Sequence, residues 1–429
     1  MARVLALAYR IGMTVLAVGA VLWVARMPAM RGAVGLGALL LLGAHYVFAV
    51  AQQPSLYYRP SPLADRIVAN SPALGHRFWP TPWCFNGHLQ VALMMFRDGR
   101  EPPLRFEQCE RLRLADGGIV SLEWIGLERA SDSAPVLAVL PSLCGDGQSL
   151  RGFVRDMRAR LGWCVVVVNR RGHADLPLTT PRFNTLGSTD DLREQLRHIR
   201  ARLPSSPLYV VGVSAGSGLL VRYLGEEGAR TPVSAGVALC PGYDTTRAFT
   251  RVQRAYDRYL VRLLREYFLD RHRTTLESVA GYAETLASRS VAEFHDRGFR
   301  LSGFASAADY HRSTNPMEVI AGVRVPLLVL NAADDPVCVV QNLRDHLNVV
   351  QAVPEILVAL TARGSHCAFF EGVVRPASWA GRAIADYLKA VHAAIGLRRL
   401  RSGVSGLRRR APRWLASASD NQDSGNFGP

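Results

Sequence analysis

Six short, almost unbroken apolar runs constrain this chain more than any other feature: "PVLAVLP" (135–141), "CVVVVN" (164–169), "LYVVGV" (208–213), "AGVALC" (235–240), "PLLVLN" (326–331) and "EILVAL" (355–360). A strand covered on one face alternates apolar and polar residues, whereas one covered on both faces reads as a continuous apolar run. Amphipathic segments separate several of the runs. "STDDLREQLRHIRARL" opens with Ser188 in an N-cap position and acids in its first turn, and Leu192, Leu196, Ile199 and Leu203 then recur on one helical face. Doubly covered strands alternating with such helices predict an α/β fold with a mostly parallel, doubly wound sheet. "GGIVSLEWIG" instead sets Val120, Leu122 and Trp124 against smaller or polar neighbours, which predicts a half-buried strand. With 429 residues, 49% of them hydrophobic, the chain can bury a core of the size found in large α/β enzymes and is not disordered as a whole. It carries no internal repeat.

The two ends differ from this middle. Val4 to Ala25, interrupted by Arg10, and "GAVGLGALLLLGAHYVFAVA" (32–51) both reach the roughly 20 residues that a helix needs to cross a bilayer. "AVA" at Ala49–Ala51 has the form of a signal-peptide cleavage site, but a doubled apolar stretch of this length is wrong for a signal peptide. The expectation is a retained N-terminal membrane anchor over 1–51, of one or two transmembrane helices. Residues 52–115 are rich in Pro, Trp and Phe and read as an extension packing on the core. Residues 116–395 hold the sheet, with an insertion at about 242–312. Residues 396–429 read as a basic, flexible tail.

Net charge is +16, and Lys389 is the only lysine. Part of the excess lies in the insertion, where Arg247, Arg251, Arg254, Arg258, Arg262 and Arg265 step by three or four along a long helical pattern. That stripe is either a solvated face or a contact for an anionic membrane. The tail arginines accompany the anchor and suit a membrane-surface tether. No nucleic-acid recognition motif is present, and no nucleic-acid partner is expected. Seven cysteines without CxxC spacing suggest neither a zinc site nor a thioredoxin-like one, and neither a metal nor a cofactor is expected. They read as reduced thiols.

The chemistry is concentrated at Gly212-Val213-Ser214-Ala215-Gly216, a G-x-S-x-G pentapeptide with an apolar strand before it and the helical "GLLVRYLG" after it. An isolated match would as readily be a small residue in a tight turn. A sharp strand-to-helix turn, however, needs residues without Cβ on both sides of the serine and lifts its hydroxyl above the sheet edge. Ser214 is therefore the candidate nucleophile. In this arrangement the acid follows the serine and the histidine follows the acid. "LVLNAADDPV" supplies Asp334 and Asp335 at the end of a strand, and "ALTARGSHCAFFEG" supplies His366 in the loop after the next. Asp335, which precedes a proline, is the preferred acid and Asp334 the reserve. His366 would take the serine proton, and the acid would orient it. The Ala215 and Leu143 amides are the expected oxyanion donors. His173, His295 and His311 read as structural or insertion residues, and no histidine begins an H-x-x-x-x-D acyltransferase box.

Six ordered blocks carry a resemblance: "PTPWCFNGHLQ", "LADGGIVSLEW", "VVVNRRGHADLPLTTPRFNTLGSTDDLREQLRHIR", "GVSAGSGLLVRYLGEEG", "VPLLVLNAADDPV" and "GSHCAFFEG". From about Pro80 to Ala393 the chain resembles the membrane-anchored branch of the alpha/beta-hydrolase-domain proteins, the AB hydrolase type 4 family of lipid esterases. The resemblance implies the alpha/beta-hydrolase fold with a helical lid, a triad of Ser214, Asp335 and His366, and an anchor ahead of the hydrolase domain. It also implies a membrane location, endoplasmic reticulum or another endomembrane in a eukaryotic cell. Two positions depart from the family pattern: Pro141-Ser142 where members often have His-Gly, and Ser217 where they have a second glycine. The expected function is membrane-bound hydrolysis of lipid acyl esters. Acyl transfer to an alcohol by the same triad, and a non-catalytic membrane scaffold or lipid receptor, are the alternatives. Oligomeric state is not legible.

Overall fold

The computed structural model describes residues 31–128, 133–183 and 185–409. Nine strands form one sheet: β1 (Ser55–Tyr57), β2 (Gln108–Arg113), β3 (Ile119–Ile125), β4 (Val136–Leu140), β5 (Cys164–Asn169), β6 (Leu208–Val213), β7 (Val233–Leu239), β8 (Leu327–Ala332) and β9 (Ile356–Thr361). Their spatial order is β1-β9-β8-β7-β6-β4-β5-β3-β2. Each of the six apolar runs supplies one of the strands β4 to β9, and these pair in parallel. The edges are antiparallel, β1 on β9 and β2–β3 on β5.

The principal helices are α1 (Arg31–His45), α2 (Pro62–Ala69), α3 (Gly87–Arg100), α4 (Arg151–Leu161), α5 (Thr189–Arg202), α6 (Ala215–Glu227), α7 (Arg254–Leu264), α8 (Val291–Arg297), α9 (Ala307–Thr314), α10 (Val340–Gln351) and α11 (Trp379–Arg409). Of these, α2, α4, α5, α6, α10 and α11 cover the two faces of the sheet, and strand pleating divides the core between them. Leu137 and Val139 of β4 join Met157 of α4 and Trp379, Ile384 and Leu388 of α11 on one face. Val136, Ala138 and Leu140 join Leu196 and Ile199 of α5 and Leu220 of α6 on the other. At about 1.5–3 kcal/mol for each fully buried Leu, Ile or Val, these two layers dominate the favourable side of folding. Ser188 caps α5 by accepting the Asp191 N–H at 3.4 Å.

Between β7 and β8 the chain leaves the sheet for a run of helices with an apolar cluster of its own, including Leu264, Phe268, Leu276, Phe294 and Leu301. The Phe268 ring stacks on Phe183, with centroids 4.9 Å apart. The arginine stripe there does not lie on one long helix, as the spacing suggested. Arg247 lies in a short helix (Thr245–Ala248), Arg251 ends a 3₁₀ turn, and α7 starts afresh at Arg254. The break is pinned by the Gln253 N–H donating to the Pro336 carbonyl at 3.0 Å.

The extension contributes β1 and β2, strands that its irregular composition did not announce. The apolar stretch at 32–51 forms the 15-residue α1 followed by a π-helical turn, Tyr46–Val50. Among the described residues no helix is long and apolar enough to cross a membrane. The stretch from Val4 to Ala25 lies outside the described residues. At the other end α11 continues to Arg409, past the point where a tail was expected, and 410–429 also lie outside.

Candidate active site

Ser214 sits between β6 and α6 with φ 52° and ψ −114°, a backbone conformation that L side chains rarely adopt. The reason is steric. A Cβ at Gly212 would stand 2.3 Å from the Gly216 carbonyl oxygen, and one at Gly216 would stand 2.3 Å from that of Leu140. Only glycine lets the turn close at both points. The Ser214 N–H donates to the Leu239 carbonyl at 2.9 Å. Ser217, which replaces the expected glycine, is buried and donates its hydroxyl to the Ser214 carbonyl. The departure therefore adds a bond to the elbow and disturbs nothing.

Two loops at the same edge of the sheet meet this serine. His366, five residues beyond β9, brings Nε2 to 2.8 Å from Ser214 Oγ. Its Nδ1 lies 2.9 Å from Asp335 Oδ2 in the loop after β8. Asp335 is 2% exposed, and its other oxygen accepts the Val337 and Cys338 N–H groups at 2.7 and 2.8 Å. Burial alone disfavours an imidazolium, but the Asp335 carboxylate outweighs it and holds the His366 pKa well above that of an ordinary histidine. Asp334 points elsewhere. Neither of its carboxylate oxygens has a hydrogen-bond partner among the described residues, and burial pushes its pKa up to about 7.

Leu143 and Ala215 line the same cavity as Ser214 and His366. Ala215 opens α6, so its N–H has no acceptor within the helix. The Leu143 loop is fixed from behind by Arg170, a residue that sequence reasoning passed over. Its Nη2 donates to the Ser142 carbonyl and, at 3.1 Å, to that of Leu143. Arg170 is 6% exposed, and burial lowers its pKa to about 10, which still leaves it charged at neutral pH. His173 lies against the same loop, with Nε2 3.3 Å from the Leu143 carbonyl; burial and Arg170 push its pKa down to about 3. The available signal was a pair of arginines directly after a buried strand, in "VVVVNRRG". His295 hydrogen-bonds Thr185 and stacks on Phe249, and His311 bonds Asp296, so both serve the insertion.

Two cavities meet at Ser214. One, of about 90 Å³, runs under the insertion past Leu219, Ala248, Phe249 and Val291. The other, of about 440 Å³, is an open groove between Val91, Met94 and Met95 of α3 and Tyr256, Tyr259 and Leu263 of α7. Both are lined mainly by apolar side chains, which suits an acyl chain better than a polar substrate. Among the described residues two groups could hold a metal, Cys240–His366–Cys367 and Asp335–Cys338–His366, each with ligand atoms within 4.8 Å of one another. Both depend on His366, whose two nitrogens already bond Ser214 and Asp335, so a cation there would break that chain of hydrogen bonds.

Residues 135–281 match the family profile described as alpha/beta hydrolase fold. The chain is 26% identical over 377 residues to the phospholipase ABHD3 of Homo sapiens, covering 83% of this chain and 91% of that protein. It is 30% identical over 407 residues to the protein ABHD15 of Homo sapiens, covering 87% and 84%. The monoacylglycerol lipase ABHD2 of Homo sapiens is 26% identical over 365 residues, with 79% and 85% covered.

Proposed function

This chain belongs to the ABHD branch of the alpha/beta-hydrolase family and is a carboxylic ester hydrolase, and on that premise we propose that it cleaves acyl esters of lipids at a membrane, with Ser214 as nucleophile. The observation that carries the proposal is the unbroken hydrogen-bond chain from Ser214 Oγ through His366 to Asp335, at 2.8 and 2.9 Å, opening into apolar cavities. Two relatives are named as a phospholipase and a monoacylglycerol lipase, which supports a glycerolipid ester as the substrate class.

In this reading the Ser214 hydroxyl attacks the ester carbonyl while its proton passes to His366 Nε2. The tetrahedral oxyanion is held by the Leu143 and Ala215 N–H groups, kept in place by Arg170 and by the start of α6. His366 then protonates the leaving alcohol, and an acyl ester remains on Ser214. The same imidazole deprotonates a water that releases the fatty acid. Asp335 holds Nδ1–H throughout and offsets the charge on the imidazolium. The insertion between β7 and β8 acts as a lid over the smaller cavity. Anchoring is assigned to the N-terminal residues; along α1, Leu39, Leu40, Leu41 and Leu42 are each at least 65% exposed, which supports burial in lipid.

A fluorophosphonate probe tests the assignment, because it phosphonylates only an activated serine. Wild-type protein is expected to label and Ser214→Ala to remain unlabelled. Equal labelling of the two would reject Ser214 as the nucleophile.

A further inference from the structure

Helix α3 presents an apolar stripe to the outside rather than to the core. On the helix Leu89 and Phe96 are 42 and 57% exposed, with the small Ala92 between them, and Phe85, just ahead of the helix cap, is 43% exposed. A surface helix of a globular protein ordinarily turns such a stripe inward. The stripe does not end with the helix. Trp83, 52% exposed, donates its indole N–H to the Val373 carbonyl at 2.8 Å, which places the Val373–Val374 loop beside it. Val374 is 88% exposed. Nearby, Tyr46 beyond α1 packs its ring against Trp79 and donates its hydroxyl to the Pro80 carbonyl. The apolar N-terminal helix thus ends on the same face.

Across the groove, α7 contributes charge. Arg254, Arg258 and Arg265 are exposed and make no ion pair among the described residues, whereas Arg251 is held by Asp345 at 2.7 Å. The stripe is therefore divided: Arg247, Arg251 and Arg262 are paired with Asp244, Asp345 and Glu266, and Arg254, Arg258 and Arg265 carry no such pair among the described residues. On α3, Arg100 lies over the Phe96 ring at 3.6 Å, so a cation flanks the apolar stripe as well.

We infer that the face formed by α3, the Val373–Val374 loop and α7 docks on an anionic lipid bilayer, with the apolar stripe in the interfacial layer and the free arginines against the headgroups. The 440 Å³ groove between α3 and α7 then opens into the leaflet and leads to Ser214. An ester-bearing lipid enters without crossing water. Three observations select a lipid surface as the occupant: the apolar stripe, the unpaired cations flanking it, and the apolar groove that joins it to the site. The last step, delivery of substrate, depends on the serine hydrolase reading above; the docking itself does not.

The test uses the full chain reconstituted in vesicles of equal parts phosphatidylcholine and phosphatidylglycerol. The Leu89→Asp/Phe96→Asp double variant is expected to hydrolyse a vesicle-embedded fluorogenic ester at least ~10-fold more slowly, since burial of the exposed part of each apolar side chain is lost and a carboxylate would have to enter the interfacial layer instead. Its rate on soluble p-nitrophenyl butyrate should stay within about twofold of wild type, because neither residue lines the groove. Equal loss on both substrates, or on neither, overturns the proposal. A second readout does not need activity: in Ser214→Ala protein, brominated phosphatidylcholine should quench a tryptophan signal that Trp83→Phe removes. Quenching that Trp83→Phe leaves unchanged overturns the docking face. So does finding that the face mediates self-association, seen as a dimer in detergent that the Leu89→Asp/Phe96→Asp variant dissociates. Absence of hydrolysis by wild type with quenching intact would instead reject the enzyme reading and leave the docking standing.

Discussion

Asp334 and Asp335 are chemically identical neighbours in different surroundings, and the difference is made by hydrogen bonds. Asp335 receives two backbone N–H groups and the His366 ring, whereas the buried carboxylate of Asp334 receives none from the described residues. The sequence could favour Asp335 through the proline after it, but the choice depends on which carboxylate the loop turns toward the imidazole, a matter of packing that no local pattern carries. The consequence can be measured. Asp335 raises the His366 pKa by favouring the imidazolium, and an imidazolium cannot accept the serine proton. Activity on a soluble ester should therefore climb as pH rises through that elevated pKa. In Asp335→Asn the climb should move to lower pH, and the plateau should fall about 10⁴-fold, because the ring loses its orienting acceptor. A pH–rate profile checks both, and an unmoved midpoint contradicts the assigned role. Arg170 is the opposite case. Its identity is plain in the sequence, but its hold on the Leu143 loop follows from how β5 and the loop after β4 lie side by side.

At the scale of elements, the parallel strands and α5 were legible because each is long enough and periodic enough to announce itself. Continuous Val and Leu in β4 to β9 can only be covered on both faces, and the Ser188 cap with Leu192, Leu196 and Ile199 can only be an amphipathic helix. Strand β1 was not legible. Its three residues have no period to read, and they become a strand only because β9 offers an open edge. The break before α7 was likewise hidden, since a stripe of arginines survives in sequence whether or not the helix beneath it is continuous. The elbow between β6 and α6 gives a sharp element-level test. Gly216→Ala puts a Cβ 2.3 Å from the Leu140 carbonyl oxygen, whereas Gly218→Ala on the same helix meets nothing within 4 Å. Urea unfolding should show the first variant destabilised by about 1–3 kcal/mol or more. The second should be unchanged or slightly stabilised. Similar stabilities for the two would mean that the turn has room the geometry denies it.

Across the whole molecule, three residues separated by up to 152 positions in the chain converge because two successive sheet loops and one strand-to-helix turn open at the same edge. A net charge of +16 was visible in the sequence, but its division into structural and free arginines required the fold. We propose that Ser214, His366 and Asp335 act as one unit. Hydrolysis rates of a soluble ester for wild type, Ser214→Ala, His366→Ala and the Ser214→Ala/His366→Ala protein test this directly. A single unit predicts that each single variant falls about a million-fold and that the double variant falls no further. Losses in the double variant equal to the product of the two single losses, or substantial activity surviving in Ser214→Ala, would contradict it.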